Sequence, residues 1–432
     1  LTLSGPEFAK NVLHQPVAGM CISIMAPAIV FEIMTGVWKG YFEGNGSHIP
    51  SSHSIVIKSV VMITASLIST GILYRYGQKV SALLQDSIYA AAYGAIGISI
   101  GILISSVVGF LHILFVFLIY RKSSGRKEQL KNQDRGQHIF RMLMGTALPF
   151  MIYALLGRGI LLLDGILFIR QKEGTADTVL LWGNYYGKCL PVLGIMILFC
   201  ILFHEGYIRR IIYFMDREEF RMARERMAEF MQHIILISFP VAVFTAVFSE
   251  NLLNLFFKGN NASLAQAVAT GSILIPLFAI SYACAELLVR MRKMRYVLSL
   301  EGIAAITHGI LMIVLLQSMG DSLFGILIAQ IVPLAVFTVL SFILVLRGIQ
   351  YRIDYMRRLA FPAAAAGLVC LAFNKLLSSF AGSTVSMIIC IPVGIVIYII
   401  LLLILKAISE DEIQKLPLAG MILFIGKLTR LL

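Results

Sequence analysis

The stretch VWKGYFEGNGSHIPSSH, residues 37–53, closes one long apolar run and opens another. Lys39, Gly40, Gly44 and the aromatic pair Tyr41-Phe42 end the first run, Asn45 to His48 form a short polar turn, and Pro50 begins the second. Proline suits the first turn of a helix, because its missing N–H would have no partner within the helix there. The pattern predicts two helices joined by a tight return. The length of the flanking runs decides what kind of helices they are. About 20 apolar residues cross the hydrocarbon core of a bilayer, and only structures that satisfy their own backbone can do so.

Applied outward from that turn, the rule gives eleven spans, at roughly 17–41, 54–75, 88–120, 142–169, 179–203, 231–249, 265–289, 297–317, 322–346, 359–377 and 384–405. The run 88–120 is longer than a perpendicular crossing needs, so it is expected to tilt or project beyond the bilayer. Composition agrees. Of 432 residues, 59% are hydrophobic and only 14% charged, whereas a soluble domain carries about a quarter charged residues. The chain reads as an all-α polytopic membrane protein. Its six cysteines, all inside apolar runs, show no spacing of a metal or redox site and are expected as free thiols. No cofactor and no metal are implied. The chain starts at Leu1, and residues 1–16 lack the features of a signal peptide, so a fragment is one expectation.

Basic residues predict the orientation. The connections at 39–58, 121–141, 204–230, 290–296 and 347–358, with the tail from 406, hold 27 Lys and Arg, against 7 in the alternate set. The first set is expected to be cytoplasmic, with Leu1 outside and Leu432 inside. The net charge of +13 then reflects topology and attraction to anionic lipid, with no need for nucleic acid. The polar connection 121–141 reads as a flexible linker. It separates residues 1–120, with three spans, from a six-helix lobe at 142–346, two further helices at 347–405 and a tail at 406–432. The stretch 205–233, with Phe220, Met227 and Phe230 or Met231 at helical spacing, reads as an amphipathic surface helix or as an extension of the fifth span.

Gly40 and Gly44 have the spacing that lets two helices pack closely. Together with their neighbours they also resemble a family motif. A span ending in Arg/Lys-Gly-Tyr-Phe-x-Gly, here Lys39, Gly40, Tyr41, Phe42, Glu43 and Gly44, then a polar turn with proline and a further span, is similar to the fourth and fifth helices of the polysaccharide-biosynthesis and lipid II flippase branch of the multidrug/oligosaccharidyl-lipid/polysaccharide exporter superfamily, and within it to stage V sporulation protein B-like proteins. LPFMIYALLGRGILLLDGILF (148–168), WGNYYGKCLPVL, MDREEFRMARERM, SENLLNLFFKGNN and the tail at 408–428 follow in the family's order. The resemblance implies a two-lobe bundle whose N-terminal lobe lacks three helices here, either by truncation or by divergence.

Ionisable residues inside spans cost about 2.5–3.5 kcal/mol each at the centre and normally face protein or a water-filled cavity. Arg158, Asp164, Lys188, Glu32 and Lys58 are therefore the candidate site residues. Asp164 and Lys188, on adjacent spans, are expected to pair, and Lys58 to reach Glu32. Arg158, about 240° around its helix from Asp164, is left to face a cavity. Glu286 and Arg290 are expected to form a local pair. Glu301 and His308 share a face and invite a proton relay, with a packed, hydrogen-bonded histidine preferred.

The expected function is a flippase for a polyprenyl-diphosphate-linked saccharide, either a lipid II-like peptidoglycan precursor or a polysaccharide repeat unit. It would work by alternating access in a bacterial plasma membrane, with the last two helices forming a groove for the lipid tail, as the resemblance implies. Membrane potential or an ion gradient would drive it. Lipid-linked saccharide, membrane lipids and cell-wall or polysaccharide synthesis enzymes are the expected partners, and a monomer the expected state. The alternatives are a cation-coupled multidrug exporter of the same superfamily and a non-transporting structural or sporulation protein. An enzyme is not expected, because no nucleophile–base pair, HExxH or phosphate-binding glycine loop is present.

Overall fold

The computed structural model describes residues 4–124, 136–171, 176–202, 204–259, 261–319, 323–349, 354–381, 383–408, 413–414 and 419–429. Among these, eleven helical segments are long and apolar enough to cross a membrane. The chain divides into two compact units, one within Leu1–Ile139 and the other from Phe140 onward. Of the expected linker at 121–141, residues 125–135 lie outside the described residues.

The first unit holds α1 (Gly5–Asn11), a 3-10 turn (Pro16–Ala18), α2 (Gly19–Gly44), α3 (Ile49–Leu84) and α4 (Ile88–Ser124). The opening motif forms the last turns of α2. Gly46 takes the left-handed backbone, φ +80°, which glycine adopts without a Cβ penalty, and the Asn45 side chain donates to the Tyr41 carbonyl at 2.9 Å. α3 then starts with Pro50 in its first turn. The close-packing reading of Gly40 and Gly44 is not what the structure shows, since a Cβ at either would meet nothing within 4 Å. The aromatic residues hold this end instead. Trp38 lies 4.0 Å from the Phe117 ring, Tyr41 5.3 Å from Phe117, and Phe42 5.9 Å from Tyr120.

Small residues do their packing work further along. A Cβ on Gly97 would come within 2.5 Å of the Thr70 backbone, and one on Gly101 would collide with Ser66. α3 and α4 therefore touch backbone to backbone, as glycine-lined membrane helices do. Thr70 and Ser54 hydroxyls donate across the seam to the Gly94 and Gly109 carbonyls at 3.3 and 3.4 Å. α3 has 36 residues, about 54 Å of helix, and runs well past the expected limit at residue 75. Arg75 and Lys79 lower the hydropathy there, but both are good helix formers, so the helix continues to a left-handed cap at Gln85.

The second unit comprises α5 (Gly136–Gln171), α6 (Ala176–Asn184), a π-helical turn (Tyr185–Cys189), α7 (Leu190–Ile201), α8 (His204–Asp216), α9 (Phe220–Val247), α10 (Ser249–Phe256), α11 (Ala262–Gly271), α12 (Leu274–Arg290), α13 (Met294–Met319), α14 (Leu323–Ile349), α15 (Asp354–Ala381), α16 (Ser383–Ile404) and α17 (Ala419–Thr429). The single amphipathic helix expected over 205–233 is two helices. Glu218 adopts φ +60° within the polar run Asp216-Arg217-Glu218-Glu219, breaking the chain between α8 and α9. Met227, Phe230 and Met231 consequently belong to the start of the sixth span and are buried, while Phe220 stays exposed.

α9 and α16 are joined through a proline. Pro240 has no N–H to give the carbonyl four residues earlier, which leaves the Leu236 oxygen free inside the unit. The Tyr398 hydroxyl donates to it at 3.0 Å, from a side chain that is itself buried. Tyr398→Phe keeps the ring and strands the carbonyl. The variant is expected to lose about 1–3 kcal/mol, read as a lower thermal midpoint in detergent; an unchanged midpoint would show that the carbonyl finds another donor.

Candidate functional site

A chain of buried and half-buried polar side chains ties four segments of the second unit together. It starts at the π turn. Pro191 cannot donate to the Gly187 carbonyl, and its ring crowds that carbonyl, which favours a wider turn just before it. The Leu190 N–H accordingly reaches back to the Tyr185 carbonyl. Tyr185, fully buried, donates its hydroxyl to Gln330 Oε1 of α14 at 2.7 Å. Gln330 Nε2 donates to Asp164 Oδ2 of α5 at 3.1 Å. Asp164 Oδ1 lies 2.5 Å from His308 Nε2 of α13, and His308 Nδ1 lies 2.7 Å from the Ala329 carbonyl.

The proton positions follow from the partners. A carbonyl only accepts, so His308 Nδ1 carries a hydrogen. Gln330 must turn its oxygen to the tyrosine and its nitrogen to the carboxylate. One proton remains between Asp164 Oδ1 and His308 Nε2. With Asp164 at 0% and His308 at 5% exposure, the pair is sealed in protein, as an ionisable pair within a membrane-spanning unit must be.

This arrangement corrects the expected Asp164–Lys188 pair. Asp164 is committed to His308 and Gln330, while Lys188 Nζ, on the π turn, donates to Asn261 Oδ1 at 3.4 Å. Asn261 is held by its own amide, which donates to Asn254 Oδ1 and the Phe257 carbonyl, both at 3.0 Å. Asp164 is therefore enclosed by protein partners, with no exposed surface for a ligand. Lys188 is half-buried and Arg158, on α5, exposed; Arg158 makes no ion pair among the described residues. In the first unit Lys58 and Glu32 do meet, Nζ to Oε1 at 2.6 Å. Glu286 and Arg290 form the expected local pair at 2.7 Å, and His308 is packed and hydrogen-bonded.

The second unit also contains an apolar cavity of about 560 Å³. Met196 and Phe199 of α7, Leu236 and Phe244 of α9, and Ile391 and Ile395 of α16 contribute to its wall. The Pro240–Tyr398 joint lies in the same wall.

No family model matches the chain. It is 22% identical over 425 residues to stage V sporulation protein B of Bacillus subtilis (strain 168), covering 96% of this chain and 78% of that one. Its structure superposes on the lipid II flippase MurJ, solved in an inward closed conformation, with a TM-score of 0.61 and 15% identity, over 89% of this chain and 73% of the other. The chain has a MurJ-like fold. Both likenesses support the resemblance that the motifs carry.

Within the MurJ-like fold, the residue missed by sequence reasoning is Gln330. It stands alone in the apolar run LFGILIAQIVPLAVF, and a single amide in such a run needs an internal partner. That signal was present. Its partner was not, because Asp164 is 166 residues away in sequence.

Proposed function

We propose that the chain flips a polyprenyl-diphosphate-linked saccharide outward across a bacterial plasma membrane by alternating access. The observation that carries this reading is the apolar cavity bounded by α7, α9 and α16, in a fold like that of MurJ. A lipid-linked sugar combines a long hydrocarbon tail with a diphosphate, so an apolar recess can fit the tail while, elsewhere, cations replace the diphosphate's lost hydration. Arg158 and Lys188, of the second unit, are the cations proposed for the diphosphate; within the first unit the Glu32–Lys58 pair is proposed separately as a polar contact for substrate. The basic connections face the cytoplasm in this reading, with Leu1 outside and Leu432 inside. Synthesis enzymes that load or consume the lipid are the proposed partners.

The test is translocation of lipid II, or of a lipid-linked oligosaccharide, in proteoliposomes. The wild-type chain is expected to move one of them faster than protein-free vesicles. Arg158→Ala and Lys188→Ala are each expected to slow it about tenfold, the equivalent of about 1.4 kcal/mol. An impermeant thiol reagent acting on Ser47→Cys reports orientation in the same vesicles. Movement no faster than in protein-free vesicles, for either lipid, would remove the flippase reading.

A further inference from the structure

We propose that Asp164 and His308 form a proton-binding site that acts as a switchable joint between α5 and α13, whatever the chain transports. With one proton between them the pair is neutral, whether written as acid and imidazole or as carboxylate and imidazolium. Release of that proton to water changes the bond itself. His308 Nδ1 keeps its hydrogen on the Ala329 carbonyl, so the deprotonated pair sets an imidazole lone pair against a carboxylate 2.5 Å away. Two acceptors at that distance repel, and a net negative charge is left in a sealed site where it is costly. The joint must open or admit water. Uptake of the proton closes it again.

The surroundings offer little to blunt this. From the π turn come Tyr185 and Cys189, whose fields reach Asp164 or one another, and Lys188, whose ammonium donates to Asn261. From α14 comes the neutral Gln330. α11, which packs on α14 and on the π turn, has no ionisable residue in ASLAQAVATG. α12 brings Cys284, which faces Ser341. On α13 itself the nearest acid is Glu301, two turns from His308 and placed beside Gly157 of α5. The one cation in this set, Lys188, is turned to Asn261 and makes no bond to Asp164 among the described residues, so loss of the proton is felt by the helices.

The fold also supplies a reporter. The Trp182 ring lies 3.1 Å from where a Gly165 Cβ would be, next to Asp164 in sequence, and its centroid is 5.8 Å from that of Tyr185. The chain has two tryptophans, and Trp38→Phe leaves Trp182 as the single fluorophore while keeping a ring against Phe117.

The decisive substitution is Asp164→Asn. Its amide can donate to His308 Nε2 and accept from Gln330, so every hydrogen bond of the network survives with a neutral histidine, but the joint can no longer lose its proton. The full chain carrying Trp38→Phe, reconstituted in vesicles, is titrated between about pH 4 and 9, which brackets the ordinary carboxyl and imidazole ranges. The expected result is a one-proton change in Trp182 emission that disappears with Asp164→Asn, the variant staying at the low-pH emission throughout. His308→Gln removes the ring but leaves a carboxyl that can still ionise against a neutral amide, so its transition should fall at a different pH. A transition that persists in Asp164→Asn, one at an unchanged pH in His308→Gln, or emission in the parent that does not change with pH, would overturn the proposal. The readout needs no substrate, so failure of lipid II to move in the same vesicles would count against the flippase reading alone.

Discussion

Asp164→Ala is expected to be the most damaging single substitution in the second unit, at a cost of about 3–5 kcal/mol. Alanine removes the acceptor for both His308 and Gln330. His308, at 5% exposure, is then left with an unpaired ring nitrogen, and the Gln330 amide loses its acceptor. The pair joins residues 144 apart, so its loss loosens α5 from α13 and not merely one turn of helix. For a unit of this size the thermal midpoint should fall by roughly 6–20 °C. His308→Ala should cost a similar amount, and the double variant little more than either, since each single change already breaks the same bond. Asp164→Asn should cost far less, because it preserves the hydrogen bonds. Fully additive losses in the double variant would show that the two side chains do not act together.

Ile395→Trp is expected to reduce transport of long-tailed lipid II at least tenfold, about 1.4 kcal/mol, with little effect on a short-tailed analogue. Ile395 lines the apolar cavity from α16, as Phe244 and Leu236 do from α9. In a bilayer the tail gains no hydrophobic free energy by leaving lipid for protein, so recognition depends on close fit. A tryptophan that narrows the recess acts by exclusion. The split between tail lengths is the informative measurement. Equal loss for both substrates would place the tail elsewhere, and no loss for either would mean that the cavity takes no part in transport.

The sequence by itself determined the eleven spans, because bilayer thickness and backbone self-satisfaction act on each segment separately. It also determined the tight return through Gly46 and Pro50, and the Glu286–Arg290 pair, whose partners are one helical turn apart. These are local properties. Partner choice between distant helices is not, and there the reading of Asp164 with Lys188 gave way. Spacing along the chain set both residues within adjacent spans, but which residue a buried carboxylate meets depends on how each helix is rotated and on which helices flank it. The π turn before Pro191 shifts that rotation, Lys188 goes to Asn261, and α13 and α14 deliver His308 and Gln330 from 144 and 166 residues away. The same reason separates the glycines. Gly40 and Gly44 have the spacing for close contact and face open space, while Gly97 and Gly101 meet a neighbouring backbone. Tertiary packing alone decided which glycines touch and which acid is sealed with a proton.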